Sequence, residues 1–163
     1  MKNEQLFTSK KKDWETPQWL FDKLCNEFDF DLDVCADKHN TKCNWHITEQ
    51  EDCLKIDWSR SYFEILHCFM NPPYGRQIVK FIKKAYEESL KGCTVVCLVP
   101  ARTDTRWWWD YCLKAVEIRF LKGRLKFGGA TNSAPFPSAI VIFSGNKQYW
   151  PVIKWVDYRE NKE

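Results

Sequence analysis

No stretch of the chain approaches the roughly 20 consecutive apolar residues that a membrane-spanning helix requires. The opening segment MKNEQLFTSKKKDWE has no apolar core of the kind a secretory leader carries. These absences set aside a membrane-spanning or exported protein, and the expectation is a cytoplasmic one. Strong charge of one sign is missing too: 25 Lys and Arg stand against 22 Asp and Glu, a balance of +3 that permits a polyanionic partner without requiring one. Internal repeats and low-complexity tracts are absent, which excludes repeat architectures. At 163 residues there is no room for a catalytic module plus a separate recognition module of ordinary size, so one core must do everything.

What is present is a globular composition, 44% apolar and 29% charged. Eight cysteines would suggest disulfides in a secreted chain; without export, reduced thiols are the better reading. Aromatic residues make up 16% of the chain and nine are Trp, more than a small core needs, so some rings are expected at a surface that stacks or wedges something.

Residues 1–13 are polar, with Lys10, Lys11 and Lys12 in a run, and read as a basic arm able to touch phosphates. From Thr16-Pro17 the apolar positions Trp19, Leu20, Leu24 and Phe28 recur at helical spacing, with Thr16 as cap and Pro17 in the first turn. Phe30 to Ala36 alternates as a strand, and residues 37–60 read mostly as loop. An apolar run from Ile65 to Met70 stops at Asn71-Pro72-Pro73-Tyr74-Gly75, where consecutive prolines end any regular element. Ile78 to Leu90 carries one apolar helical face, and Thr94 to Val99 is a continuous strand-forming run. Trp107 to Leu113 reads as helix, Val116 to Leu121 and Pro137 to Ser144 as strands, and residues 146–163 as a tail with a short helix laid on a domain spanning 14–145. Strands alternating with helices predict an α/β fold, mostly parallel, with a possible hairpin late in the chain.

In open α/β sheets ligands bind beyond the carboxyl ends of strands, which is where Asn71-Pro72-Pro73-Tyr74 falls. The exocyclic amine of a nucleobase is a poor nucleophile because its lone pair is delocalised into the ring. Two acceptors, the Asn71 side-chain oxygen and the Pro72 carbonyl, would draw off its two N–H groups and localise that pair. Pro73 offers no competing N–H and stiffens the turn, while Tyr74 presents a ring for an extruded base, worth roughly 1–3 kcal/mol per base. The bland alternative is a simple turn, since Asn, Pro and Gly are all turn formers.

The same tetrapeptide resembles the catalytic turn of amino-directed methyltransferases that use S-adenosylmethionine. Its order with Thr16-Pro17, Phe30 to Ala36, Leu98 to Trp107 and Gly123 to Phe127 is similar to the phage-type DNA adenine methyltransferase (Dam) family, over Trp14 to about Phe143. The resemblance implies a reduced Rossmann-like class I methyltransferase fold with helices on both faces, DNA as partner, S-adenosylmethionine as cofactor and a phage or prophage origin. It further implies that Thr16 and Pro17 flank the cofactor, that Asp33 lies near its methionine portion and that Asp52 accepts from its adenine amine. No glycine follows Ala36, where many methyltransferases have a glycine loop. Phe127 resembles a position that packs against a flipped base, and Arg102, Arg106, Arg124 and Lys126, with Arg119 and Lys122, are candidates to grip phosphates.

Trp107, Trp108 and Trp109 cannot all be buried on one helix face, so at least one is expected to point elsewhere. Cys35, His39, Cys43, His46 and Cys53 lie within nineteen residues but match no finger spacing, and no zinc site is assigned; His67 reads as a packed residue rather than a base. Three alternatives stay open at this point: the same turn acting on RNA, on protein glutamine, or a non-catalytic nucleic-acid or zinc-binding module. A monomer or a homodimer is compatible with the chain.

Overall fold

The computed structural model describes residues 14–59, 66–145 and 149–159, and the basic arm expected over 1–13 lies outside them. Eleven residues after the Thr16-Pro17 entry form α1 (Gln18–Phe28), followed by strands β1 (Leu32–Ala36), β2 (Trp45–Thr48) and β3 (His67–Met70). Then come α2 (Ile78–Ser89), β4 (Thr94–Pro100), the short α3 (Arg106–Asp110), a 3-10 turn at Cys112–Lys114, β5 (Glu117–Leu121), β6 (Ser138–Phe143) and β7 (Val152–Val156).

The seven strands form one sheet in the order β2-β1-β3-β4-β6-β5-β7. β1 to β4 pair in parallel, β6 runs antiparallel to both β4 and β5, and β7 is parallel to β5. The sheet is therefore mixed, which corrects the expectation of a mostly parallel one. The physical reason lies between β5 and β6: residues 122–137 contain no helix, and a parallel return needs a crossover of a dozen or more residues that is usually helical. The segment expected as a terminal helix is the edge strand β7, bonded to β5 from Val152 to Val156.

Alternation along β4 divides the core into two faces. Val95, Cys97 and Val99 point to the side covered by α2 and α3, with Ile78, Ile82, Ala85, Trp107 and Trp108; Val96 and Leu98 point to the side covered by α1, with Leu20, Phe21 and Leu24. Helices thus lie on both faces of the α/β sheet, and each buried Leu or Ile contributes about 1.5–3 kcal/mol relative to exposure. Of the tryptophan triplet, Trp107 and Trp108 are buried and Trp109 is 64% exposed, as helical geometry requires.

The region expected to be mostly loop is irregular except for β2, and a buried acid anchors its far end. Glu88 on α2 accepts the Trp58 backbone N–H at 3.1 Å and holds Lys84 at 2.5 Å and Lys91 at 2.9 Å. A fully buried carboxylate is tolerable only because each oxygen is so engaged.

Candidate active site

Met70 ends β3 and the chain turns at Asn71, at the same end of the sheet as the carboxyl ends of β1 and β4. Pro72 is buried, Pro73 exposed and Tyr74 half-buried. Gly75 follows with φ +136°, a conformation that side chains rarely adopt, and lets the chain enter α2.

The Asn71 amide is fixed in one orientation. Its Nδ2 donates to the Trp14 carbonyl at 2.5 Å and to Thr16 Oγ1 at 2.9 Å. A carbonyl can only accept, so the reversed amide would set two oxygens against each other, and both Nδ2 hydrogens are thereby spent. Among the described residues Oδ1 is left buried with no hydrogen-bond partner. An orphaned buried acceptor costs about 1–3 kcal/mol, which a fold retains where something else supplies the donor.

Rings wall the same turn. Tyr74 meets Phe127 edge-on at 6.2 Å and Phe136 at 5.6 Å between centroids, while Trp14 lies 5.2 Å from Phe127 and 5.3 Å from Phe136. The Tyr74 hydroxyl donates to the Leu98 carbonyl at 3.3 Å, and burial pushes its ionisation well above the ordinary phenol range. The Tyr74 hydroxyl is therefore not suited to serve as a base, and the ring is what the residue presents to the wall.

Thr16 is buried and its hydroxyl accepts from Asn71, so it does not cap α1; the cap position is Pro17, whose carbonyl accepts the N–H groups of Leu20 and Phe21. Asp33 is the second residue of β1, level with Phe69 of β3. It is buried, and burial raises its pKa above the usual carboxylate value, opposed by the backbone N–H groups of Lys42 at 3.1 Å and Cys35 at 3.2 Å. Asp52 follows the carboxyl end of β2, with φ +56° and its carboxylate 3.0 Å from Lys55, a bond that lowers its pKa.

These features put an unpartnered acceptor, a stiff turn and an aromatic wall at one end of the sheet. The family model described as DNA N-6-adenine-methyltransferase (Dam) matches residues 3–162. The chain belongs to that family. It is similar to the DNA N-6-adenine-methyltransferase of Haemophilus phage HP1, 33% identical over 168 residues, covering 95% of this chain and 94% of the relative. It is also similar to the DNA N-6-adenine-methyltransferase of Escherichia phage T1, 30% identical over 113 residues, covering 69% of this chain and 45% of the relative.

Among the residues of this family member expected to meet phosphate, the structure separates two exposed groups and removes one candidate, Arg119. Arg102 and Arg106 are exposed on the loop after β4 and at the start of α3, where Arg106 lies 3.4 Å from Asp110. Arg124 and Lys126 are exposed beside a cleft of about 240 Å3 that Trp19 and Tyr158 also line. Arg119, by contrast, is buried: Glu27 holds its two terminal nitrogens at 2.5 and 2.6 Å, Tyr158 accepts from it at 2.8 Å, and Glu117 takes its Nε. These partners raise its pKa further and take four of its five N–H donors, and with the side chain 8% exposed it is turned into the fold and away from a phosphate. Lys122 lies 3.0 Å from Asp157. Phe127 is buried within the ring wall.

Among the described residues no group of three His, Cys, Asp or Glu side chains is placed to hold a metal ion; Cys35 and Cys53 approach to 3.9 Å between sulfurs while His39 and His46 are exposed. His67 is half-buried and its ring nitrogen faces the Phe28 carbonyl. No described helix is long and apolar enough to cross a membrane. Two residues of the site escape sequence reasoning. Trp14 lies two positions before Thr16, and Phe136 lies between Pro135 and Pro137, where a ring in a stiffened loop is a usable signal.

Proposed function

We propose that the chain transfers a methyl group from S-adenosylmethionine to the exocyclic amine of adenine in DNA, on a base turned out of the duplex. The observation that carries this reading is the buried Asn71 Oδ1 without a donor, one partner short of a satisfied amide. An adenine amine supplies that donor. In this reading the Pro72 carbonyl takes the second N–H, and the nitrogen lone pair is left pointing away from the ring plane.

Once bound, S-adenosylmethionine supplies an electrophilic methyl on a sulfonium. The residues present suit such a group: Asp33 keeps lone pairs beyond the two it shares with backbone N–H groups, and the ring wall at Tyr74 favours a neighbouring cation. Asp33 would hold its amino acid portion with Thr16-Pro17 alongside, and Asp52 is proposed for its adenine amine. Tyr74 would stack the extruded adenine, offsetting the few kcal/mol that extrusion costs. No strong base is required, because the two acceptors raise the nitrogen's nucleophilicity before a proton leaves.

Arg102, Arg106, Arg124 and Lys126 flank this end of the sheet and are proposed to hold DNA phosphates. Phe127 is proposed to back the adenine pocket from within the wall. The test offers isotopically labelled methyl donor with duplex DNA, with RNA and with a glutamine-containing protein. Label in DNA adenine supports the reading; label only in RNA or protein refutes it.

A further inference from the structure

Among the described residues β7 is an outer edge of the sheet, and its hydrogen bonds to β5 fix which of its backbone groups lack a partner there. Val152 donates to the Val116 carbonyl at 3.0 Å and the Val156 carbonyl accepts from Lys122 at 2.9 Å, so the even-numbered residues bond inward to β5. The N–H and C=O groups of Ile153 and Trp155 therefore point outward, a template for another strand.

The same edge is apolar. Trp155 is 78% exposed, Trp150 73% and Tyr149 99%, with Val152 and Ile153 also exposed. Aromatic side chains carry about 150–250 Å2 each, so these three present roughly 500 Å2. Isolated monomers rarely expose more than a few hundred Å2 in one patch, and a stable interface takes about 800 Å2 from each partner. With the aliphatic residues and the strand edge added, the patch is of the size a dimer needs.

We infer that a second copy of this chain pairs with β7 across a two-fold axis, with antiparallel edges joining two seven-stranded sheets. Setting Ile153 opposite Trp155 of the second copy lets both outward residues exchange hydrogen bonds and puts an aliphatic side chain against an indole twice on one face. Lys154 then faces its own counterpart. A lysine at an edge ordinarily blocks such pairing, but here its ammonium is held 2.8 Å from Glu117 on its own sheet. DNA is a poorer occupant. Strand direction puts Tyr149 and Trp150 at the end of the sheet opposite to Asn71, and Lys154 is neutralised.

Sedimentation equilibrium of the full chain at micromolar concentrations tests this. Wild type should be a dimer, and Ile153→Pro, which removes an outward N–H without touching the β5 ladder, and Trp155→Glu should each weaken it at least tenfold while circular dichroism shows the chain still folded. Lys154→Cys adds a test of register. Facing residues at about 4.5 Å between Cα atoms lie within disulfide reach, so oxidised glutathione, reduced as the two thiols join, should crosslink this variant and not Lys38→Cys. A monomeric wild type, dimers that survive both edge substitutions, or a dimer that Lys154→Cys fails to crosslink would each overturn the inference.

Discussion

Thr16→Val separates two roles for a buried hydroxyl. The substitution keeps shape but removes the oxygen that accepts from Asn71 Nδ2 at 2.9 Å, leaving the Trp14 carbonyl as the amide's one anchor. A buried N–H then lacks a partner, at about 1–3 kcal/mol. In a chain of 163 residues each kcal/mol lowers the melting temperature by about 2–4 °C, so a drop of about 2–12 °C is expected. An amide held at one point also presents Oδ1 less firmly, and a loss of about 1.4 kcal/mol in the transition state slows turnover tenfold. Single-turnover methylation and calorimetric titration with S-adenosylmethionine report the two effects separately. A positioning role predicts slower turnover with donor affinity unchanged, and recovery in Thr16→Ser. Weaker donor binding at an unchanged rate would show instead that Thr16 serves the cofactor, and a Thr16→Val protein normal in both respects would refute the hydrogen-bond argument.

Removing the Arg119 side chain should cost more than any surface charge does. Arg119→Met leaves Glu117 and Glu27 without their shared cation, and urea unfolding should show a loss of about 3 kcal/mol, whereas Glu27→Gln, at a more exposed partner, should cost about 1 kcal/mol or less. Arg124→Ala and Lys126→Ala should leave melting unchanged and weaken DNA binding, with the slope of log K against log salt falling by about 0.9 for each phosphate no longer neutralised. Asp57 accepts from the Ser59 hydroxyl and N–H and faces Lys91 at 3.4 Å, which lowers its pKa to about 2 from an ordinary 3.8. Because the folded value is the depressed one, its contribution is complete at neutral pH and is lost as pH falls from about 4 to 2. Asp57→Asn should therefore destabilise at pH 6 and converge on wild type at pH 2 in parallel urea titrations.

The elements legible in the sequence are those with strong local signals. The helical spacing from Trp19 to Phe28, the β-branched run of β4 and the double proline after β3 each become the element their chemistry demands. β2 and β7 escape such a reading because edge strands bury little: β2 exposes Trp45 and His46, and four of the five β7 residues are exposed, so neither shows an alternating apolar pattern. The direction of β6 depends on what joins it to β5, and no property of its six residues encodes that. Residue type alone marks the turn at Asn71, but not the fixed amide. That depends on Trp14 and Thr16, more than fifty positions away in the chain, and only folding brings them together.

The most direct measurement is the single-turnover rate of adenine methylation in duplex DNA by wild type and Asn71→Ala, at saturating methyl donor, with melting recorded for both. An acceptor that activates the amine predicts a fall of about 10²–10³-fold with donor affinity within twofold. Methylation by Asn71→Ala at the wild-type rate would contradict it.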